Sequence, residues 1–200
     1  MLNLAYRFLF PAMWLVWALY WWLASFGGKA TQRREHLGSR LLHVLPLAAA
    51  IALLWPERVP FRVLNQRVFP WAPWEFWVAA FVTAAGLGFA VWARRHIGRN
   101  WSGTVTLKRD HELIVTGPYA FARHPIYTGL LVAIVGSALA RGEWRGLLAI
   151  ALAWAALWRK LLLEEQWMLE LFGDQYAEYR RRVPALIPFS RSVAGASRPR

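Results

Sequence analysis

Residues 103–129 read GTVTLKRDHELIVTGPYAFARHPIYTG and form a polar, charged stretch between long apolar runs. Pro118 and Pro125 interrupt helical structure there, because proline disfavours the helical conformation in the residue before it. The stretch is therefore predicted to be a shaped loop. Irregular backbone beside a hydrocarbon layer persists only where protein or water satisfies its polar groups. Such a loop indicates a site at a membrane boundary.

The composition of the 200-residue chain indicates a membrane protein, since 58% of its residues are hydrophobic and 14 are Trp. Ordinary soluble domains are less apolar. The absence of Cys excludes a disulfide, a thiolate nucleophile and a Cys-ligated metal. The net charge of +13 comes from basic residues between apolar runs, which favours anionic lipid head groups over nucleic acid as partners.

Five apolar runs suggest helices that cross a bilayer, which takes about 20 residues, although two of the runs have only 15 residues. The predicted fold is an all-α polytopic integral membrane protein with about five transmembrane helices, the last two forming a helical hairpin. Gly86 and Gly88 in the third run are predicted to allow close helix contact. The five runs cover residues 4–26, 41–55, 71–93, 126–140 and 146–163.

The distribution of basic residues predicts the orientation, because cytoplasmic loops hold the excess of Lys and Arg. Eighteen of the 24 fall on the side that carries residues 29–40, residues 94–125 and the C-terminal tail. This side is predicted to face the cytoplasm, with the N-terminus outside an inner or plasma membrane.

The first chemical cluster is Arg123-His124-Pro125-x-Tyr127, with Tyr119 four residues before Arg123. Its simplest interpretation is a loop at the membrane surface with an interfacial Arg and aromatic anchors, which are common there. The alternative is that these side chains line a binding site.

The second cluster is Glu164-Glu165 at the end of the last apolar run. Adjacent carboxylates at a membrane boundary are costly unless they are solvated or bind a cation. Lys160, one helical turn earlier, would satisfy Glu164 in a purely structural interpretation. Both clusters are predicted to lie on one side of the membrane and to converge at one interfacial site.

Two other kinds of site are not supported by the pattern. His111 and His124 are 13 residues apart, which fits no compact metal-ligand spacing, so no metal is expected. Ser102, Asp110 and His124 do not suggest a hydrolase triad, because nothing like a nucleophile elbow surrounds the serine.

Together these pieces resemble the isoprenylcysteine carboxyl methyltransferase family, which is related to the membrane phospholipid methyltransferases. The resemblance covers roughly residues 98–189, and the first two spans match only as membrane spans. It rests on GRNWSG at 98–103, HELIVTGPY at 111–119, RHPIYTG at 123–129, EE at 164–165 and FGDQYAEYRRRVPALIPF at 172–189.

The resemblance implies an integral membrane enzyme that uses S-adenosyl-L-methionine, with Arg123 and His124 as catalytic residues and Lys160 as a substrate-binding residue near an acceptor carboxylate. Lys160 stands where relatives carry arginine, so the charge is kept and the bidentate fork is lost. The implied cofactor-binding residues are Thr104, His111, Glu112, Leu113, Ile114, Tyr119, His124, Pro125, Ile126, Tyr127, Glu164 and Glu165.

The charges of this cofactor suit the two clusters. Its sulfonium and ammonium groups would be balanced by Glu164 or Glu165, and its carboxylate would meet Arg123 or His124. The apolar runs and the resemblance together predict three N-terminal transmembrane helices at 1–93, a catalytic methyltransferase region at 94–189 and a disordered tail at 190–200.

The predicted acceptor is lipophilic, such as an isoprenylcysteine-type carboxylate, which is already nucleophilic and needs no general base. One alternative is a phospholipid N-methyltransferase, in which His124 would serve as the base. Another is a non-catalytic membrane scaffold or assembly protein.

Overall fold

The computed structural model describes residues 2–26, 31–55, 59–70, 72–98, 101, 106–108 and 113–186. Over these ranges the chain is mainly helical, with two short strands and two 3₁₀ turns at Arg62–Asn65 and Gly117–Ala120. The elements are α1 (Leu2–Leu23), β1 (Thr31–Arg34), α2 (Leu37–Leu54), α3 (Pro73–Ile97), β2 (Thr106–Lys108), α4 (Pro125–Arg141), α5 (Trp144–Phe172) and α6 (Asp174–Arg182).

Three helices in the described part of the chain, α2, α3 and α5, are both long and apolar enough to cross a membrane. The apolar helix α4 is shorter, at 17 residues. Only 11% of the apolar window of α2 is buried inside the protein. So much exposed apolar surface favours contact with lipid, in agreement with the predicted integral membrane protein; the number of five spans stays a prediction.

The two strands, which the sequence analysis did not predict, pair antiparallel with Thr31 opposite Lys108 and Arg34 opposite Thr106. They are only four and three residues long and polar, so they carry none of the alternation that marks a half-buried strand. Their pairing puts the segment before α2 and the segment after α3 at one end of the helices.

The opposite end is organised around the connection between α4 and α5. The Val68 N–H donates to the Gly142 carbonyl at 2.8 Å, and the Trp144 N–H donates to the Gln66 carbonyl at 3.1 Å. The segment between α2 and α3 is therefore fixed against the connection between α4 and α5, away from the strands.

The tightest contact between helices joins α3 and α4 through glycines. A Cβ added at Gly86 would lie 2.5 Å from the Ala133 nitrogen, and one added at Gly129 would lie 2.6 Å from the Gly86 carbonyl oxygen. The prediction of close contact is therefore confirmed for Gly86. It is wrong for Gly88, which has nothing within 4 Å and lines an apolar groove of about 510 Å³ between α1 and α3.

The last long helix, α5, continues nine residues past the apolar run predicted to end at residue 163. A change in hydropathy shows where a helix leaves an apolar environment, but it does not show where the helix ends. Most of residues 163–172 are good helix formers, so the helix continues. The helix ends at Gly173, whose φ of +51° suits glycine. Glu164 and Glu165 therefore lie on a rigid helix and not in a tail.

We expect Gly86→Ala to lower the thermal unfolding midpoint in detergent, because the added methyl group would meet the backbone of α4. Overpacking of this kind typically costs about 1–3 kcal/mol. Gly88→Ala is the matched control, two residues along the same helix, and should unfold at or slightly above the wild-type midpoint, because nothing lies within 4 Å of the added methyl group and alanine is the better helix former. Equal midpoints for the two variants would contradict the glycine contact.

Candidate active site

The Arg-His pair lies immediately before α4 and is hydrogen-bonded to the end of the described chain. The Arg123 N–H donates to the Pro184 carbonyl and the His124 N–H to the Ala185 carbonyl, both at 2.9 Å. Pro125 is the first residue of α4, where a missing N–H costs nothing because the helix leaves that group unpaired. The position of the pair is thus set by its own proline and by a segment 60 residues away.

Glu165 forms a buried ion pair with Arg123. Its Oε1 lies 2.7 Å from Arg123 Nε and 2.6 Å from Nη2, and its Oε2 lies 3.3 Å from Arg180 Nε. The Glu165 and Arg123 side chains are only 5% and 9% exposed. Arg123 Nη1 also donates to the carbonyls of Arg180 and Val183. The Arg123 guanidinium is therefore engaged by protein groups and does not present an open surface to a cofactor carboxylate.

Glu164 has different partners and is more accessible, at 24% exposure. The Tyr127 hydroxyl donates to its Oε1 at 2.6 Å, and Lys160 Nζ lies 3.9 Å from the same oxygen. The Lys160 ammonium also sits 5.4 Å from the centre of the Tyr127 ring, a cation–π distance. The predicted pair of Lys160 with Glu164 exists, but the shorter contact comes from Tyr127.

His124 lies between the two carboxylates. Its Nδ1 is 3.5 Å from Glu164 Oε2, and its Nε2 is 3.3 Å from Glu165 Oε1. Burial alone would lower the pKa of His124, but hydrogen bonding and charge from both carboxylates outweigh burial and raise it. Only an imidazolium donates from both ring nitrogens. His124 therefore acts as a cation that joins two adjacent acids, which does not suit it to serve as a general base.

A hydrophobic wall continues from this polar cluster. Tyr119, Ile126 and Tyr127 belong to one buried group with side chains of α5, and Ile114 packs against it. The Tyr179 hydroxyl donates to the Tyr119 carbonyl at 2.6 Å. Burial raises the pKa of the Tyr119 hydroxyl, so it stays neutral.

The turn that carries Tyr119 is held by the end of α3. His96 Nε2 lies 2.9 Å from the Thr116 hydroxyl, and its ring stacks on that of Tyr119. Gly117 has a φ of +59°, and a Cβ there would lie 2.6 Å from the His96 ring. A glycine is required because the imidazole occupies the space of a side chain.

The structure brings together most of the residues that the sequence analysis singled out, while their roles stay predictions. Leu113 is half-buried, before the Tyr119 turn. Thr104, His111 and Glu112 lie outside the described residues. The assembled set is Arg123, His124, Tyr127, Lys160, Glu164 and Glu165.

Sequence reasoning missed Arg180 and Tyr179, which reach the site from α6. The three arginines at 180–182 lie in the motif at 172–189, but the sequence assigns them no contact in the site. The available signal was the spacing of Tyr176 and Tyr179, since residues three apart share one helix face. Both tyrosines are buried.

A family model described as phospholipid methyltransferase matches residues 74–175, just over half of the chain. The chain belongs to the phospholipid methyltransferase family. The matched region runs from α3 to the start of α6 and contains His124, Lys160 and both carboxylates. It does not include α1, β1 or α2.

Three curated relatives show the range of the similarity. A protein-S-isoprenylcysteine O-methyltransferase of Schizosaccharomyces pombe is 32% identical over 137 residues, covering 64% of this chain and 58% of that protein. The cobalt-zinc-cadmium resistance protein CzcN of Cupriavidus metallidurans is 29% identical over 138 residues, covering 68% and 62%. Methanethiol S-methyltransferase 1 of Bradyrhizobium diazoefficiens is 41% identical over 76 residues, covering 38% and 26%.

The chain thus spans less than two thirds of the length of each of these relatives. The predicted resemblance to isoprenylcysteine methyltransferases is confirmed by relatives of that name, within the phospholipid methyltransferase family.

We expect His124→Gln to flatten the pH dependence of stability. The pKa of His124 is raised in the folded protein, so its contribution is fully present below the ordinary value of 6.5 and is lost as pH rises through the folded pKa. In that window the free energy of unfolding of the wild type should fall by up to about 1.4 kcal/mol per pH unit. Thermal unfolding in detergent between about pH 6 and about pH 9 measures this slope.

The control for this prediction is His36→Gln. His36 caps the start of α2 by accepting from the Gly38 N–H, so its loss should change stability without removing the slope. A His124→Gln variant with the wild-type slope would show that His124 is not held as an imidazolium by the two carboxylates.

Proposed function

We propose that this protein is a membrane methyltransferase that uses S-adenosyl-L-methionine to methylate a lipophilic acceptor at the membrane boundary. The observation that carries the proposal is the pair of carboxylates on α5 joined by His124, at the end of a helix long and apolar enough to span a bilayer. Glu165 is satisfied by ion pairs that a scaffold could also use, whereas the partly exposed Glu164 beside it is costly at a membrane boundary unless it is solvated or binds a cation, which argues against the non-catalytic alternative.

The residues present fit the charges of this cofactor. When bound, it supplies an electrophilic methyl group on a sulfonium, together with an ammonium and a carboxylate. Glu164 is the accessible acid beside the buried wall formed by Tyr119, Ile126 and Tyr127. A partly exposed carboxylate next to buried aromatic and aliphatic side chains suits a cationic ligand with a flat ring.

The two carboxylates have different tasks in this proposal. Both carboxylate oxygens of Glu165 are engaged by protein groups, namely Arg123, Arg180 and His124. Glu165 therefore holds the loop before α4 and helix α6 in place. Glu164 keeps one face open and receives the cofactor's cationic end. The sequence alone left the choice between the two open, and their partners favour Glu164.

The chain's contribution to the reaction is to bind, orient and exclude water. The α5 helix and the start of α4 at Pro125 fix the site from two rigid elements, which suits alignment of two reactants. Well-oriented reactants can gain roughly 7–11 kcal/mol in the barrier. An acceptor that is already an anion, such as the carboxylate of an isoprenylcysteine, then needs no base from the protein.

Lys160 is the proposed contact for such a carboxylate. It lies beside Glu164 and over the Tyr127 ring. The runner-up acceptor, a phospholipid amine, must lose a proton to a base, and His124 is poorly suited because both its nitrogens face carboxylates. These contacts favour an anionic acceptor over an amine at this end of the site.

The proposed membrane topology has five spans, α1 to α5, with α4 and α5 as a helical hairpin. Residues 94–189 form the catalytic region on the cytoplasmic side, after three N-terminal helices at 1–93, with residues 190–200 as a tail. The pairing of β1 with β2 supports one shared side for the segments that flank the site. The excess of basic residues there supports the cytoplasm.

We expect Glu164→Gln to weaken binding of S-adenosyl-L-methionine by about tenfold or more, because the amide removes the counter-charge of the ammonium; tenfold corresponds to about 1.4 kcal/mol. Equilibrium binding of radiolabelled cofactor to the protein in detergent measures this. The matched control is Glu178→Gln, an exposed acid of α6 that pairs with Arg181 and Arg182. It should bind as wild type does.

Two results would contradict the cofactor proposal: wild-type protein that binds no S-adenosyl-L-methionine, or a Glu164→Gln variant that binds it as tightly as the control. Thermal unfolding of the same preparations shows whether a loss of binding reflects a loss of fold.

We expect the wild type to transfer a radiolabelled methyl group to an S-farnesylcysteine analogue faster than to lipid amines in a phospholipid extract. Lys160→Met should raise KM for the analogue, because it removes the cation without much change in side-chain length. Lys160→Arg should keep KM near the wild-type value. Incorporation into phospholipid alone would favour the N-methyltransferase instead.

A further inference from the structure

A second polar cluster lies between the start of α2 and α5, outside the residues discussed so far. Ser39 and His43 are four residues apart on one face of α2, and Glu35, just before the helix, contacts both. Arg159 of α5 reaches this face: its Nη2 donates to the Ser39 hydroxyl at 2.8 Å, and its Nη1 lies 3.3 Å from His43 Nδ1. The Ser39 hydroxyl in turn donates to Glu35 Oε1 at 2.6 Å.

These contacts fix which nitrogen of His43 carries the proton. A guanidinium can only donate, so Nδ1 of the neutral ring must accept from Arg159. The proton of neutral His43 is then on Nε2, which points to Glu35 Oε2 at 3.6 Å. His43 therefore has a carboxylate behind one nitrogen and a lone pair on the other, the arrangement that orients an imidazole to accept a proton.

One carboxylate oxygen of Glu35 lacks a hydrogen-bond partner in this cluster. Its side chain is 2% exposed, and its Oε2 has no hydrogen-bond partner. A buried carboxylate oxygen without a partner is costly. The Nε2 proton of His43 faces this oxygen, and the charge of Glu35 favours a second proton on the ring, while Arg159 and Lys160 oppose it.

The cluster adjoins the proposed site through α5. Arg159 directly precedes Lys160, which pairs with Glu164. His43 is also close enough to Lys160 and Glu164 for their charges to act on it. Glu35 and His43 both lie outside residues 74–175, the part matched by the family model.

We propose that His43, backed by Glu35, accepts the proton of an acceptor that carries one on its nucleophilic atom, a lipophilic thiol or amine. This inference rests on the proposed function and widens its acceptor class. In this proposal the acceptor displaces the Arg159 side chain, which is 35% exposed, from His43 Nδ1.

In the proposed methyl transfer, every bond that breaks and every proton that moves is accounted for by the groups named above. For a thiol, the S–H bond breaks and its proton goes to His43 Nδ1, while the thiol sulfur forms a bond to the donated methyl group. The electron pair of the broken carbon–sulfur bond stays on the donor sulfur. Glu35 then faces an imidazolium through Nε2–H. An acceptor that is already a carboxylate has no proton to give and leaves His43 unused.

The test compares one thiol acceptor, decanethiol, with one carboxylate acceptor, an S-farnesylcysteine analogue, in full-length protein purified in detergent. We expect His43→Gln to slow methyl transfer to the thiol by about 10²–10⁴-fold. Transfer to the carboxylate and binding of S-adenosyl-L-methionine should stay within about threefold of wild type, because neither needs the base. Glu35→Gln should show the same selectivity with a smaller loss.

A second readout does not depend on turnover. Nitrogen NMR of protein with ¹⁵N-labelled histidine should show neutral His43 protonated at Nε2, and Glu35→Gln should weaken that preference. His43→Gln serves to assign the signal.

The outcomes separate the two proposals. An equal loss for both acceptors in His43→Gln, a wild type that methylates the carboxylate but never the thiol, or His43 protonated at Nδ1 would each overturn the role of His43 and leave the proposed function standing. Wild-type protein that binds no S-adenosyl-L-methionine would overturn the proposed function, and this inference with it.

Discussion

The position of His124 between Glu164 and Glu165 is the constraint on which the site depends. Two consecutive carboxylates on one helix repel each other, and the cost grows where water is scarce. The imidazolium contacts both at 3.5 and 3.3 Å and so removes much of that repulsion. Because His124 precedes α4 and the acids belong to α5, the same contacts fix the polar loop against the longest helix.

Beyond His124, the two acids differ in the groups that compensate their negative charge. Glu165 takes two arginines, one from the loop and one from α6, and becomes a buried structural ion pair. Removing one partner of such a pair is strongly destabilising, since the other charge stays buried. Glu164 takes a neutral hydroxyl and a more distant ammonium, so its charge is less fully compensated. This unequal balance is the basis for proposing Glu164 as the acid that binds a cationic ligand.

The sequence predicts the apolar helices and the meeting of the two polar clusters, because hydropathy and the order of polar residues are local properties. It does not predict that α5 runs on to Phe172, since a helix can leave the hydrocarbon without ending. Nor does it distinguish Gly86 from Gly88, because helix rotation decides which glycine faces α4. The division of tasks between Glu164 and Glu165 needs Arg180 and Tyr127, whose approach depends on tertiary packing.

The region before residue 74 contacts the helix that carries this site. It lies outside the family match, yet α2 packs along α5 and contacts it through the residue directly before Lys160. The carboxylate pair and its partners at 123–127 all lie inside the match. Under the proposed function, substitutions in α2 change the charges on the acceptor side while the carboxylates proposed to hold the cationic donor keep their contacts. Such a separation would let one scaffold serve different acceptors.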